Sequence, residues 1–177
     1  DGQRLVQSET LLRATEQVAK LCGWEWDLET GEENWSEEGH RMAAVGLGET
    51  LTLSRFLDQV HPDDRLDYLT QIERSAREGV AYDCEFRLIG AEGVLRVMRA
   101  HGEVIRNESG RPIRLISTNQ DVTEQKQVAV ELQTVTDSLE AEREVLRMLA
   151  SGESLERVLL AINTNVELLW PQATSCI

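Results

Sequence analysis

Apolar residues change their spacing several times along the chain, and each change predicts a change of element. Leu5, Leu12 and Ala19 recur at seven-residue steps, with Leu11, Val18 and Leu21 beside them on a background of Gln, Glu, Arg and Lys. That pattern predicts an N-terminal amphipathic helix over residues 1–22, ending at Gly23. In GWEWDLETGEENWS, Trp24, Trp26 and Leu28 alternate with polar residues, and Glu29-Thr30-Gly31 offers a turn before Trp35, so a short hairpin is expected. Ser36 suits a helix start, with Glu37 and Glu38 in the first turn, and that helix should stop near Gly46. A second short helical piece runs from Leu53 to Val60. From His61 to Gly79 the punctuation is strongest: Pro62 fits the first helical position, Asp63 and Asp64 meet the positive end of the dipole, and Gly79 closes the helix. Leu66, Leu69, Ile72 and Ala76 form its expected buried stripe.

After Ala81 the period becomes two. Tyr82, Cys84, Phe86 and Leu88 alternate with Asp83, Glu85 and Arg87; turns at residues 90–93 and 107–110 then separate strands over Val94–Arg106 and Pro112 to about Gln120. This is an antiparallel meander, and with the first hairpin it predicts an α+β domain: a five-stranded antiparallel sheet with short helices on one face. Asp121-Val122-Thr123-Glu124 has the form of a helix start. Beyond it Val128, Leu132, Val135, Leu139, Leu146 and Leu149 step by four and three, the seam of a coiled coil, with Glu142 as the one polar interruption. The alternative is that this helix packs on its own sheet. Ser151-Gly152 breaks the run; Leu155, Val158, Leu159, Ile162, Val166 and Leu169 then form another amphipathic helix stopped by Pro171, and Ala173–Ile177 opens like a strand.

Composition narrows the classes. The 177 residues are 41% hydrophobic and 28% charged, as in soluble globular proteins, with room for one core and a helical attachment. A formal charge of -14 disfavours nucleic acid and anionic membrane surfaces as partners. No apolar run reaches the roughly 20 residues of a membrane-spanning helix and no leader opens the chain, so it is read as cytoplasmic, and its start at Asp1 suggests an excised piece. Cys22, Cys84 and Cys176 are too widely spaced for a disulfide framework or a paired-Cys zinc site.

The stretch GWEWDLETGEENWS, the HPDDR at 61–65, the segment YDCEFRLIGAEGVLRVMRAHGEVIRNESGRPIRLISTNQ and the closing DVTEQK resemble a PAS sensor domain with its C-terminal PAC portion, over roughly residues 20–126. The resemblance implies a sensor domain over 23–121 and, through Asp121 and Thr123, a tie between the last strand and an exit helix at 122–151 that relays signal. Residues 152–177 are similar to the opening of a GAF domain. A homodimer through the linker helices is expected, feeding an output domain such as a histidine kinase or a cyclic-di-GMP enzyme beyond the chain.

The candidate pocket between sheet and helices is lined by Phe56, Leu57, Leu69, Tyr82, Cys84, Phe86, Met98 and Ile116, and could hold a small molecule. No cofactor is predicted, and the alternatives to the relay module are a haem- or flavin-binding redox or gas sensor and a ligand-free dimerisation scaffold. Haem-binding members usually draw their ligand from the long helix, where Ile72–Arg77 offers no histidine, and the Asn-Cys-Arg-type motif of light-sensing members is absent. Trp24, Trp26 and Trp35 fill a core or stack on a planar ligand. His61, Asp63 and Asp64 are explained by the helix start; His40 and His101 stand alone; no metal is predicted. No nucleophile with a base, phosphate loop or carboxylate pair emerges, so the chain is read as regulatory rather than catalytic.

Overall fold

A computed structural model describes residues 10–169 except 12, 16, 91 and 92, with only the backbone for 165–169. Leu5, Leu12, the centre of the turn at 90–93, Pro171, Cys176 and the strand expected at Ala173–Ile177 lie outside these residues. The chain divides into two compact units, one up to Thr123 and one from Glu124.

The first unit holds five strands, β1 (Leu21–Asp27), β2 (Glu33–Trp35), β3 (Tyr82–Ile89), β4 (Leu95–Arg106) and β5 (Pro112–Asp121). All neighbours are antiparallel, in the order β2-β1-β5-β4-β3. Between β2 and β3 come α1 (Glu37–Met42), α2 (Leu53–Leu57) and α3 (Pro62–Glu78). The β1–β2 turn forms because the Asp27 carboxylate accepts from the amides of Glu29 (3.0 Å) and Thr30 (2.8 Å), while Gly31 takes a positive φ of 78°. Ser36 caps α1 by accepting from the Gly39 amide (3.3 Å), and the same hydroxyl accepts from Gly23 of β1 (3.1 Å), fastening helix to sheet. Thr52 caps α2, Pro62 opens α3, and Gly79 ends it with φ 70°.

The inner face of the sheet and the three helices enclose one core that includes Cys22, Trp24, Phe56, Val60, Tyr68 and Ile72. Two expectations are corrected. Among the described residues the N-terminal helical segment ends at Val18 and does not reach Cys22: Lys20 turns the chain at φ 50°, and Leu21 and Cys22 pair with Gln120 and Asn119 of β5. Ladder bonds to β5 thus override a helical periodicity that was weak at its end. In α3, Leu66 is 73% exposed, and the buried face runs instead through Tyr68, Ile72 and Ser75. Arg65 explains the rotation, because its guanidinium reaches back to the carbonyls of Val60 (2.7 Å) and Asp58 (2.6 Å) and turns Tyr68 inward.

In the second unit α4 (Thr123–Ala150) extends over 28 residues, Gly152 with φ 73° follows it, and α5 (Leu155–Leu169) comes next. Met148 and Val158 are its buried apolar side chains among the described residues.

Candidate functional site

The interior of the first unit is a chain of aromatic rings. Trp26 stacks near Trp24 (6.3 Å between centroids), Trp24 meets Trp35 (5.2 Å), and Trp35 meets Phe56 (5.0 Å). Phe56 stands edge-on to Phe86 (6.1 Å), which stacks on Tyr68 (4.1 Å). Three tryptophans from the first hairpin therefore reach, through α2 and β3, a tyrosine of α3. The Trp24 indole nitrogen is buried without a hydrogen-bond partner among the described residues.

Beside the rings lies a polar cluster that the apolar pattern did not single out. Tyr68 donates to the Asn119 side-chain oxygen (3.0 Å) and Tyr82 donates to the Ser117 hydroxyl (2.8 Å), and all four residues are buried. The Asn119 amide nitrogen is 4.0 Å from the Cys22 sulfur. The Tyr82 ring crosses β4 at Gly102, where a Cβ would stand 2.0 Å from the ring. Burial pushes both tyrosine hydroxyls well above their ordinary range, so they serve as neutral donors. Burial also pushes the Cys84 thiol up to about 11, which keeps it protonated and unreactive at neutral pH.

Of the eight predicted pocket residues, Phe56, Tyr82, Phe86 and Met98 are buried in this core, and Leu57, Leu69 and Cys84 pack against it. Ile116 does not belong. It is 40% exposed and lines an open groove on the outer face with His101, Glu103, Ile105 and Thr118. In β5 the inward residues are Leu115, Ser117 and Asn119, fixed by their partners Val104, Gly102 and Ala100 on β4. Opposed residues share a face, so the alternation of β4 carried the signal that places Ser117 and Asn119 inside.

The three histidines sit apart. His61 accepts from the Asp63 amide (3.4 Å) at the start of α3, His40 lies 3.1 Å from the Ser36 carbonyl, and His101 stands on the outer face near Asp83 and Glu103. Asp64 accepts from the amide of Arg87 (2.8 Å) and from its guanidinium (2.7 and 2.9 Å), which holds its carboxyl down at about 2. The HPDDR segment thus ties α3 to β3. Among the described residues no group of three or more His, Cys, Asp or Glu side chains is placed to hold a metal.

At the junction after β5, the Thr123 hydroxyl donates to the Asp121 carboxylate (2.6 Å) and accepts from the Val97 amide (2.8 Å). The Thr123 amide donates to the same carboxylate (3.0 Å), and Val122, buried between them, donates to the Val97 carbonyl (2.9 Å). Asp121 and Thr123 are thereby fastened to each other and to β4. Along α4 the side chains of Val128, Leu132, Val135, Leu139, Leu146 and Leu149 are 54–65% exposed, an apolar stripe left uncovered among the described residues.

Residues 32–119 match the family model described as the PAS fold. This domain has the PAS fold. The fold is similar to that of a sensory box histidine kinase/response regulator of Burkholderia thailandensis, with a TM-score of 0.54 at 23% identity over 73% of this chain and 97% of that one. Among curated proteins, the sensor protein FixL of Bradyrhizobium diazoefficiens is 31% identical over 111 residues, 63% of this chain and 22% of the relative. A methyl sulfide methyltransferase-associated sensor of Methanosarcina acetivorans is 28% identical over 147 residues, 82% of this chain and 14% of the relative. The chain therefore spans less than a quarter of the length of either. No described helix is long and apolar enough to cross a membrane.

Proposed function

We propose that this chain is the sensory and relay module of a cytoplasmic multidomain signalling protein, a histidine kinase or a cyclic-di-GMP enzyme, and that it works as a parallel homodimer through α4. The observation that carries this reading is the fastening of Asp121 and Thr123 to Val97 at the point where β5 gives way to a 28-residue helix with an uncovered apolar stripe. A change in the core that shifts β5 is passed by that clamp into α4, and the paired helices answer with a change of rotation or register. The signal must favour one helix arrangement by its own differential binding energy, on the order of 1–3 kcal/mol. Residues 152–177 then begin a GAF-like domain on the way to an output domain that does the catalysis.

A small molecule in the PAS core is one source of such a signal. The buried Trp24 nitrogen is a donor that an acceptor on that molecule would satisfy, and the Trp35 ring stands 5.2 Å from the Trp24 ring. The second reading is a ligand-free scaffold, favoured by the unbroken ring contacts that run from Trp26 to Tyr68. Adding candidate small molecules and following Trp fluorescence separates the two. For the relay itself, the test is the mass in solution of Leu132→Glu/Leu139→Glu. The wild type should be a dimer and the variant a monomer, whereas a variant that stays dimeric removes the relay.

A further inference from the structure

Polar residues in a coiled-coil seam are costly, and Glu142 stands in the middle of this one. Written as heptads, Leu132, Leu139 and Leu146 take position a, while Val128, Val135 and Glu142 take position d. In a parallel, in-register pair, a d side chain enters a hole whose wall includes the partner's e residue, the one directly after its own d residue. Behind Val128, Val135 and Leu149 those e residues are Ala129, Thr136 and Ala150; behind Glu142 the e residue is Arg143. The one charged knob coincides with the one charged e residue, and of opposite sign. Both side chains are exposed, and among the described residues no hydrogen bond or ion pair within the chain engages either, although the nearby Arg147 is held by Glu144 at 2.7 Å.

Resting on the pairing of α4 proposed above, we propose that Glu142 of each chain forms an ion pair with Arg143 of a second copy, and that these two symmetry-related pairs fix a parallel, in-register, two-stranded assembly. Two facing carboxylates alone would repel, and the two guanidiniums at the edge of the same layer neutralise them. Strand direction follows, because an antiparallel partner sets Glu142 against leucines of the a positions and separates it from Arg143. Strand number follows as well. Leu at a with Val at d would by itself accept three or four helices, but those ropes bury the e position and would dehydrate Arg143. In two strands e stays at the water's edge, where the pair forms at little cost.

The test uses the 177-residue chain in sedimentation equilibrium, with helix content followed by circular dichroism. Glu142→Arg and Arg143→Glu should each raise the dimer Kd roughly tenfold without loss of helix, and the double exchange Glu142→Arg/Arg143→Glu should return it to within about threefold of wild type. Single effects that merely multiply in the double exchange overturn the ion pair while leaving the α4 dimer intact. A trimer or tetramer overturns the two-stranded assignment. A wild type that is monomeric at every concentration removes the pairing of α4 itself, and the ion pair with it.

Discussion

Gly102 stands mid-strand in β4, where a residue without a side chain ordinarily weakens a sheet. Its reason is the Tyr82 ring, which occupies the space a Cβ would take and carries its hydroxyl on to Ser117. Gly102→Ala must therefore push the ring aside and strip the Ser117 hydroxyl of its donor. We expect a loss of about 1–3 kcal/mol in urea unfolding, the range of an overpacked core, whereas Tyr82→Phe, which keeps the ring and gives up only the hydroxyl, should cost less. Equal losses would mean that the close approach contributes nothing. Tyr82, Phe86 and Met98 were readable as core residues because large apolar side chains alternate in their strands. Ser117 and Asn119 were hidden, since a polar residue inside a sheet is indistinguishable by type from one outside. Ile116 was misplaced for the same reason: β5 offers apolar residues on both faces, and only its register against Gly102 and Ala100 decides between them.

Among the elements, α3 shows how a short polar motif outweighs an apolar stripe. Its limits were legible, because Pro62 and Gly79 are backbone signals that need no partner. Its buried face was not, because Arg65 and Asp64 set the rotation through contacts with Asp58 and Val60, which follow α2, and with Arg87 of β3. The Asp64–Arg87 bridge gives that arrangement a pH signature. Its folded carboxyl lies at about 2 against an ordinary 3.8, so the group binds protons less readily folded than unfolded. The stabilisation is therefore fully present above pH 4, falls as the pH drops toward 2, and is gone below it. At neutral pH Asp64→Asn should cost about 1–2 kcal/mol, allowing for the partial exposure of the pair. In acid titrations of stability the two proteins should converge near pH 2, and a difference that persists unchanged there would show that the bridge does not act through its charge.

At the scale of the whole molecule, the two units draw their stability from different sources. The first closes a continuous core, and its central strand β5 is flanked by β1 and β4, a pairing of residues nearly a hundred positions apart that no local periodicity announces. The hairpin and the meander were each legible, whereas their joining was not, because strand order depends on which edges meet once the helices have covered one face. The second unit buries Met148 and Val158 and leaves the seam of α4 open. A helix with so little cover gains most of its persistence from packing, and in the proposed dimer that packing comes from another copy. Amide exchange should then separate the units. Protection within residues 128–149 should rise with protein concentration, roughly threefold for each tenfold increase once the dimer dominates, since the monomer fraction falls as the inverse square root of concentration. Protection in β4 and β5 should not change. If α4 amides exchange at the same rate in dilute and concentrated samples, the helix is held within its own chain, and a lever shared between two copies gives way to one that acts alone.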